Sequence, residues 1–205
     1  MPMIWGEIFH LILKSITNLK QQNMKKMKFL TAALFVSSLF IGCSKDDAPA
    51  PVNEEEVITT LTVTLVPNDG GTAITLQSRD LDGDGSDAPV ITTGDLAAGV
   101  TYSGRIVLLN ETVDPAEDIT EEVEEENLEH QFFHTSGGDL DITISNENLD
   151  TDGNKLGTEF TLVAGAASTG TLTFTLRHEP TKPNTGLEDA GGETDISATF
   201  SVSVE

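Results

Sequence analysis

The amino-acid sequence predicts an all-β fold: an immunoglobulin-like antiparallel β-sandwich of about eight strands, lying behind a secretory leader. Three observations carry that expectation. Apolar residues recur with period two over most of the chain after residue 56, Thr and Ser fill nearly every alternate position, and Gly with Asn or Asp punctuates the runs. A helical period is almost absent there. One apolar face and one wet face suit antiparallel sheets stacked on each other.

The leader comes first. Residues 1–23 carry the only Trp, Trp5, and a mixed apolar pattern at Ile4, Ile8, Leu11, Ile12 and Ile16. Met24 or Met27 would open an ordinary signal peptide, so this stretch reads as an over-long start, with an amphipathic membrane-surface helix as the alternative. Residues 24–42 then have a signal-peptide layout: basic Lys25, Lys26 and Lys28, an apolar run from Phe29 to Ile41, and Gly42 before Cys43. That run spans 13 residues, short of the roughly 20 that a membrane-spanning helix needs.

The ending on a small residue and then Cys resembles the lipobox of bacterial lipoproteins, with Phe40 where Leu is commonest. The resemblance implies that the Cys43 sulfur receives a diacylglycerol, that cleavage falls just before it, and that the new amine is acylated. Two or more acyl chains make a stable anchor to the outer membrane. A buried free thiol is the other use of a lone Cys, but nothing after Cys43 would pack such a helix.

Residues 43–56 form the tether. Ser44-Lys45-Asp46-Asp47, alternating Pro and Ala, and Glu54 to Glu56 give an extended, solvated segment. Cys-Ser-Lys-Asp-Asp also looks like the lipoproteins of Bacteroidota, in which an acidic stretch after the lipidated Cys accompanies export to the outer face of the outer membrane. A charged tether that merely stays soluble is the alternative, so both the cell surface and the periplasmic face stand open.

Residues 57–205 hold the strands. Leu61, Val63 and Leu65 alternate with Thr, and after Pro67-Asn-Asp-Gly-Gly71 the pattern resumes at Ile74 and Leu76, a hairpin signature. Further runs follow at Val100 to Leu108, 129–136, Leu140 to Ile144, Phe160 and Leu162, Leu172 to Leu176, and Ile196 to Val204. Between them, Asp114-Pro115 predicts the cap and first turn of a short helix, with Ile119 and Val123 facing the sandwich.

Charge narrows the function. The 205 residues hold 11 Lys and Arg against 34 Asp and Glu, a net −23 with His neutral. Removing the first 42 residues leaves 163, with six bases, 33 acids and a net −27. Such a surface repels phosphate, which excludes a nucleic-acid partner, and a single Cys excludes an intrachain disulfide or a multi-Cys zinc site. Any protein partner is expected to be cationic.

Two acidic turns have the side chains for Ca2+. Asp80, Asp82, Asp84, Gly85 and Asp87 match the early positions of the calcium-loop pattern, with Ile91 where the bidentate Glu belongs. Asn148, Asp150, Asp152, Gly153, Asn154 and Glu159 match more of it, with Asn in the first place. Spacing of two sets alternate oxygens around a tight turn. Plain turn chemistry, in which Asp, Asn and Gly serve positive φ and bonds to the backbone, is the commoner use of such loops. Ten of the nineteen residues from Glu111 to Glu129 are also acidic, a solvated crossover or a cation site.

His130 and His134 sit on a predicted strand, where four steps place them roughly 13 Å apart, too far to share one ion. For these and His178, a solvent-facing or satisfied structural role is the expectation. Enzyme signatures are missing: there is no Ser-centred Gly elbow, no phosphate-cradling Gly-Lys-Ser/Thr loop and no His-Glu-x-x-His.

Asp80-Leu-Asp-Gly-Asp-Gly, Ala97-Ala-Gly-Val-Thr-Tyr, Pro115-Ala-Glu-Asp-Ile-Thr, Gly170-Thr-Leu-Thr-Phe-Thr-Leu-Arg-His-Glu-Pro and Ala190-Gly-Gly-Glu-Thr-Asp resemble a family of small flavobacterial outer-membrane lipoproteins. Its members are often labelled "type 1 periplasmic binding fold superfamily". A type 1 periplasmic binding protein is a two-lobed α/β molecule, which this pattern does not fit, and no cleft is carried over. The expected function is a lipid-anchored, non-catalytic binding or structural module of the cell envelope, Ca2+ being its one candidate cofactor. The alternatives are a ligand-binding lipoprotein that delivers cargo to a transporter and a small hydrolase using carboxylates and His178.

Overall fold

A computed structural model of the chain describes residues 56–83 and 85–205. Cys43, the signal peptide, the tether before Glu56, and Asp84 lie outside the described residues. Among the described residues, ten strands and two short helices follow one another as β1 (Thr60–Pro67), β2 (Ile74–Arg79), β3 (Val90–Thr92), β4 (Thr101–Asn110), β5 (Glu117–Asp118), α1 (Ile119–Glu125), β6 (His130–Gly138), β7 (Ile142–Ser145), β8 (Glu159–Ala164), β9 (Ser168–His178), α2 (Leu187–Ala190) and β10 (Glu193–Val204). Among the described residues no helix is long and apolar enough to cross a membrane.

The strands pair in two antiparallel sheets. One runs β3-β2-β1-β4-β8-β7, with β5 beside β4, and the other runs β10-β9-β6. The segments β1-β4-β8-β7 and β6-β9-β10 reproduce the two sheet orders of a constant-type immunoglobulin sandwich. To these the chain adds β2 and β3 on the outer edge of β1. Just before β4, Leu96 bridges Val204 in parallel, held by Leu96 N–H donating to Ser203 O at 2.8 Å and Glu205 N–H donating to Leu96 O at 2.8 Å. The buried Tyr102 hydroxyl accepts from Ala97 N–H at 2.8 Å and fixes the same loop.

The alternation decides which side chains meet. Leu61, Val63, Leu65, Leu76, Ile106, Leu108 and Leu162 from one sheet pack with Phe132, Leu172, Phe174, Leu176 and Phe200 from the other, all buried. Each such side chain contributes about 1.5–3 kcal/mol relative to exposure. On the opposite face of β9 and β10, Thr173 and Thr199 share a hydroxyl bond at 2.8 Å, and Thr175 and Ser197 one at 2.9 Å, the cross-strand pairing expected of a wet face.

Three details differ from the sequence expectation. β3 and β5 are additional strands. All of β3 is exposed and β5 is two acids long, so neither shows a buried period. The short helix begins at Ile119, not at Asp114-Pro115, because residues 117–118 pair with β4. Asp118 is its cap, with Oδ1 accepting from Thr120 N–H at 2.9 Å. Ile119 and Val123 are buried, as expected.

Candidate metal centre

The two acidic loops resolve largely into turn chemistry. In the first, Asp82 Oδ2 accepts from Asp87 N–H at 3.2 Å, and its carbonyl accepts from Gly85 N–H at 3.0 Å. The Asp87 amide holds the Asp82 carboxyl below its usual range, against burial. Asp82 and Asp87 are exposed. Asp80 is half-buried, and its Oδ1 has no hydrogen-bond partner among the described residues.

In the second loop Asn148 Oδ1 accepts from Gly157 and Glu159 N–H, each at 3.0 Å. Asp150 Oδ1 accepts from Asp152 and Asn154 N–H at 3.0 and 2.8 Å. Asp152 and Glu159 are exposed. A cation already stands against Asp150: Lys182 Nζ, which donates to Asp150 Oδ2 at 3.0 Å, Asn127 O at 2.7 Å and His130 O at 2.5 Å. Burial pushes the Asp150 carboxyl up, but Lys182 and the loop amides outweigh it and lower it. Three acids of the 111–129 run are likewise engaged. Glu111 is forked by Arg79 and bonded by Thr60, which bring it to about 2, Asp118 caps α1, and Glu124 accepts from Thr158.

Of the two roles expected for the histidines, the solvent-facing one is not what the fold gives them. All three rings are inward: 0% exposed at His130, 1% at His134 and 8% at His178. Their parity explains this, because His130 and His134 share the core face of β6 with Phe132, and His178 continues Leu172, Phe174 and Leu176 on β9. His134 bonds Gly157 O at 3.1 Å and lies against Phe160 and Phe174 at 4.6 and 5.3 Å between centroids. It is apart from His130, as a strand requires.

His130 instead meets His178. The two are directly opposed in the β6–β9 register, with ring centroids 4.7 Å apart. The third member is Asp195. Regular alternation from Val204 through Phe200 and Ala198 to Ile196 would turn Thr194 inward next, but the register shifts between Thr194 and Ile196. A bulge of this kind re-aims one side chain. Asp195 therefore turns in, 6% exposed, with Oδ1 3.9 Å from His178 Nδ1 and Oδ2 4.0 Å from His130 Nε2. Gly192 (φ +69°) immediately precedes this strand, and a Cβ there would lie 2.2 Å from His178 O.

Glu56 closes the group from the tether side, its Oε1 3.2 Å from His130 Nε2 but out of line for a hydrogen bond. His130 Nδ1 lies 3.2 Å from the Glu126 carbonyl at the end of α1. A carbonyl can only accept, so Nδ1 carries a proton and Nε2 faces the carboxylates. Burial works against a charged His130 ring, but Glu56, the Glu126 carbonyl and Asp195 outweigh it and raise its pKa. Burial lifts Asp195 to about 6, against the pull of both histidines. Ligand atoms of His130, His178 and Asp195 fall within 4.8 Å of one another, as do those of Glu56, Glu126 and His130, and of Glu129, His178 and Glu179.

Sequence reasoning compared histidines along one strand and missed the pair across two. The period-two parity of His130 and His178 was the available signal. No protein-family model, no curated protein and no solved structure matches this chain.

Proposed function

We propose that this chain is a lipid-anchored, non-catalytic binding or structural module of the cell envelope, fastened to the outer membrane through Cys43 and related to the small flavobacterial lipoproteins it resembles. The observation that carries this reading is the order of segments: three lysines, an apolar run, Gly42-Cys43, an acidic tether, then a sandwich whose first strand starts at Thr60. Signal, lipidated Cys, spacer and folded head follow one another with little chain to spare.

The filled core supports a binding or structural role over cargo carriage, since side chains from both sheets occupy the space that an apolar ligand would need. The acidic crossover from Glu111 to Glu129 favours a cationic partner. Calcium, as part of this reading, belongs to the loop at Asp80–Asp87, where a buried Asp80 oxygen lacks a partner, rather than to the loop where Lys182 supplies the charge.

Membrane fractionation tests the anchor. Cys43→Ser should move the protein from the membrane to the soluble fraction, and its retention on membranes would overturn the proposal. Protease treatment of intact cells then reports the face, because only a surface head is cleaved. For calcium, a melting temperature unmoved by millimolar Ca2+ would remove that part.

A further inference from the structure

The cluster at the end of β9 has a charge problem that its own protein groups do not solve. Glu56 Oε2, His130 Nε2 and Asp195 Oδ2 are three of the five buried side-chain atoms without a hydrogen-bond partner among the described residues. All three belong to one cluster, and the ring that carries Nε2 is fully buried. Buried polar groups are ordinarily paired, and each one left unpaired is costly. A single proton on His130 would answer one carboxylate and leave the other. A dication would answer both.

We infer that Glu56, His130, His178 and Asp195 form a site for a zinc-class divalent cation, which fastens the end of the tether to the β6–β9–β10 sheet. Two imidazoles and two carboxylates are donors that zinc-class ions accept in a closed four-coordinate site, whereas Ca2+ takes six to eight oxygens. A tetrahedral ion with ligands at about 2.0–2.2 Å separates its donors by roughly 3.3–3.6 Å. The measured separations of 3.2, 3.9 and 4.0 Å bracket that spacing. His130, His178 and Asp195 stand within ligand reach of one another, and Glu56 joins them through His130.

The outer groups fit as well. A metal-bound imidazole commonly gives its other N–H to a carbonyl or carboxylate. His130 Nδ1 has the Glu126 carbonyl at 3.2 Å, and His178 Nε2 has Glu129 at 4.0 Å. Glu129 and Glu179 are exposed beside His178, so an acidic rim lies on the path by which a cation enters. Glu56 is the ligand that gives the site a role, since it precedes β1, which starts at Thr60, while the other three lie on β6, β9 and β10.

The experiment uses the full chain, stripped with chelator and dialysed against Zn2+ or Co2+ alone. The expected result is one ion per chain, a rise in melting temperature, and visible Co2+ absorption of tetrahedral intensity. Asp195→Asn and His178→Gln, which keep shape and leave the core intact, should each weaken Zn2+ binding 10–100-fold. Glu56→Gln should do likewise and make the tether more sensitive to protease when Zn2+ is present. Asp152→Asn, at an exposed turn residue outside the cluster, should change nothing. The inference is overturned if the stripped chain takes up no Zn2+ at micromolar concentration, or if the Asp195 and His178 variants bind it as tightly as the parent. Stabilisation by Ca2+ that the Asp195 and His178 variants abolish would also overturn it. None of these readouts depends on Cys43, so failure of the anchor proposal is separately visible.

Discussion

Lys182 Nζ and Asp150 Oδ2 stand 3.0 Å apart with both side chains buried, at 6% and 0% exposure. The ammonium also collects the carbonyls of Asn127 and His130, so one residue from the loop after β9 ties together the end of α1, the start of β6 and the 148–159 turn. Removing one partner of a buried pair leaves the other charge stranded, at about 3–5 kcal/mol. Lys182→Met should lose that much in denaturant unfolding, and adding Asp150→Asn should recover part of it. A loss below about 1 kcal/mol would show that the pair is solvated.

Acid should act through Glu147. Its carboxyl is held to about 2 by His134 and then Lys155, against burial. At 3.7 Å the His134 nitrogen is long for a hydrogen bond, whereas Lys155 Nζ lies at 2.8 Å, so we assign the larger share to Lys155. Because the folded pKa lies below the ordinary 4.5, this stabilisation is complete above pH 4.5 and is lost as pH falls toward 2. Lys155 is exposed, so solvent screening reduces the effect to about 1 kcal/mol. The stability gap between the parent and Glu147→Gln should narrow over that window, and equal pH slopes for the two would refute the pairing.

Gly104 on β4 lies opposite Phe160 on β8, and a Cβ at Gly104 would come within 2.4 Å of the ring. Phe160 itself packs on His134 and Phe174, so the ring has no free direction to move. Gly104→Ala should therefore cost about 1–3 kcal/mol by overpacking, read as a fall in the urea midpoint without a change in slope.

Phe174 is fully buried and touches Phe160, Phe200 and His134. Phe174→Ala should cost about 3–5 kcal/mol, while Thr173→Ala, one position away on the wet face, should cost less than about 1 kcal/mol. Similar losses at both would mean that the assignment of faces on β9 is inverted.

The sandwich was legible because its strands are amphipathic on a period of two: the run from Leu172 to Leu176 and that from Ala198 to Val204 each declare a buried face without help from elsewhere. β3 and β5 were not, since Val90 to Thr92 bury nothing and Glu117–Asp118 become a strand only through pairing with Leu109 and Asn110. The helix cap shifted for the same reason. At the candidate metal centre, the inward parity of His130 and His178 lay in the sequence, but the register that opposes them is a tertiary fact. Asp195 required a bulge that local alternation does not announce. Glu56 reads as one more tether acid until its carboxylate is found against His130. Lys182, three-fold coordinated and buried, sits in a Pro-flanked loop that gives no sign of a core partner.

β1 is an interior strand, paired from Thr60 to Leu65 with β2 and from Thr60 to Pro67 with β4. The chain enters the folded head along this strand, so tension arriving from the N-terminal side is directed parallel to two ladders at once. Hydrogen bonds loaded in that direction must shear together instead of unzipping singly. Forced unfolding is governed by the unfolding rate, and a pull on the chain ahead of Thr60 thus meets first a strand held on both flanks.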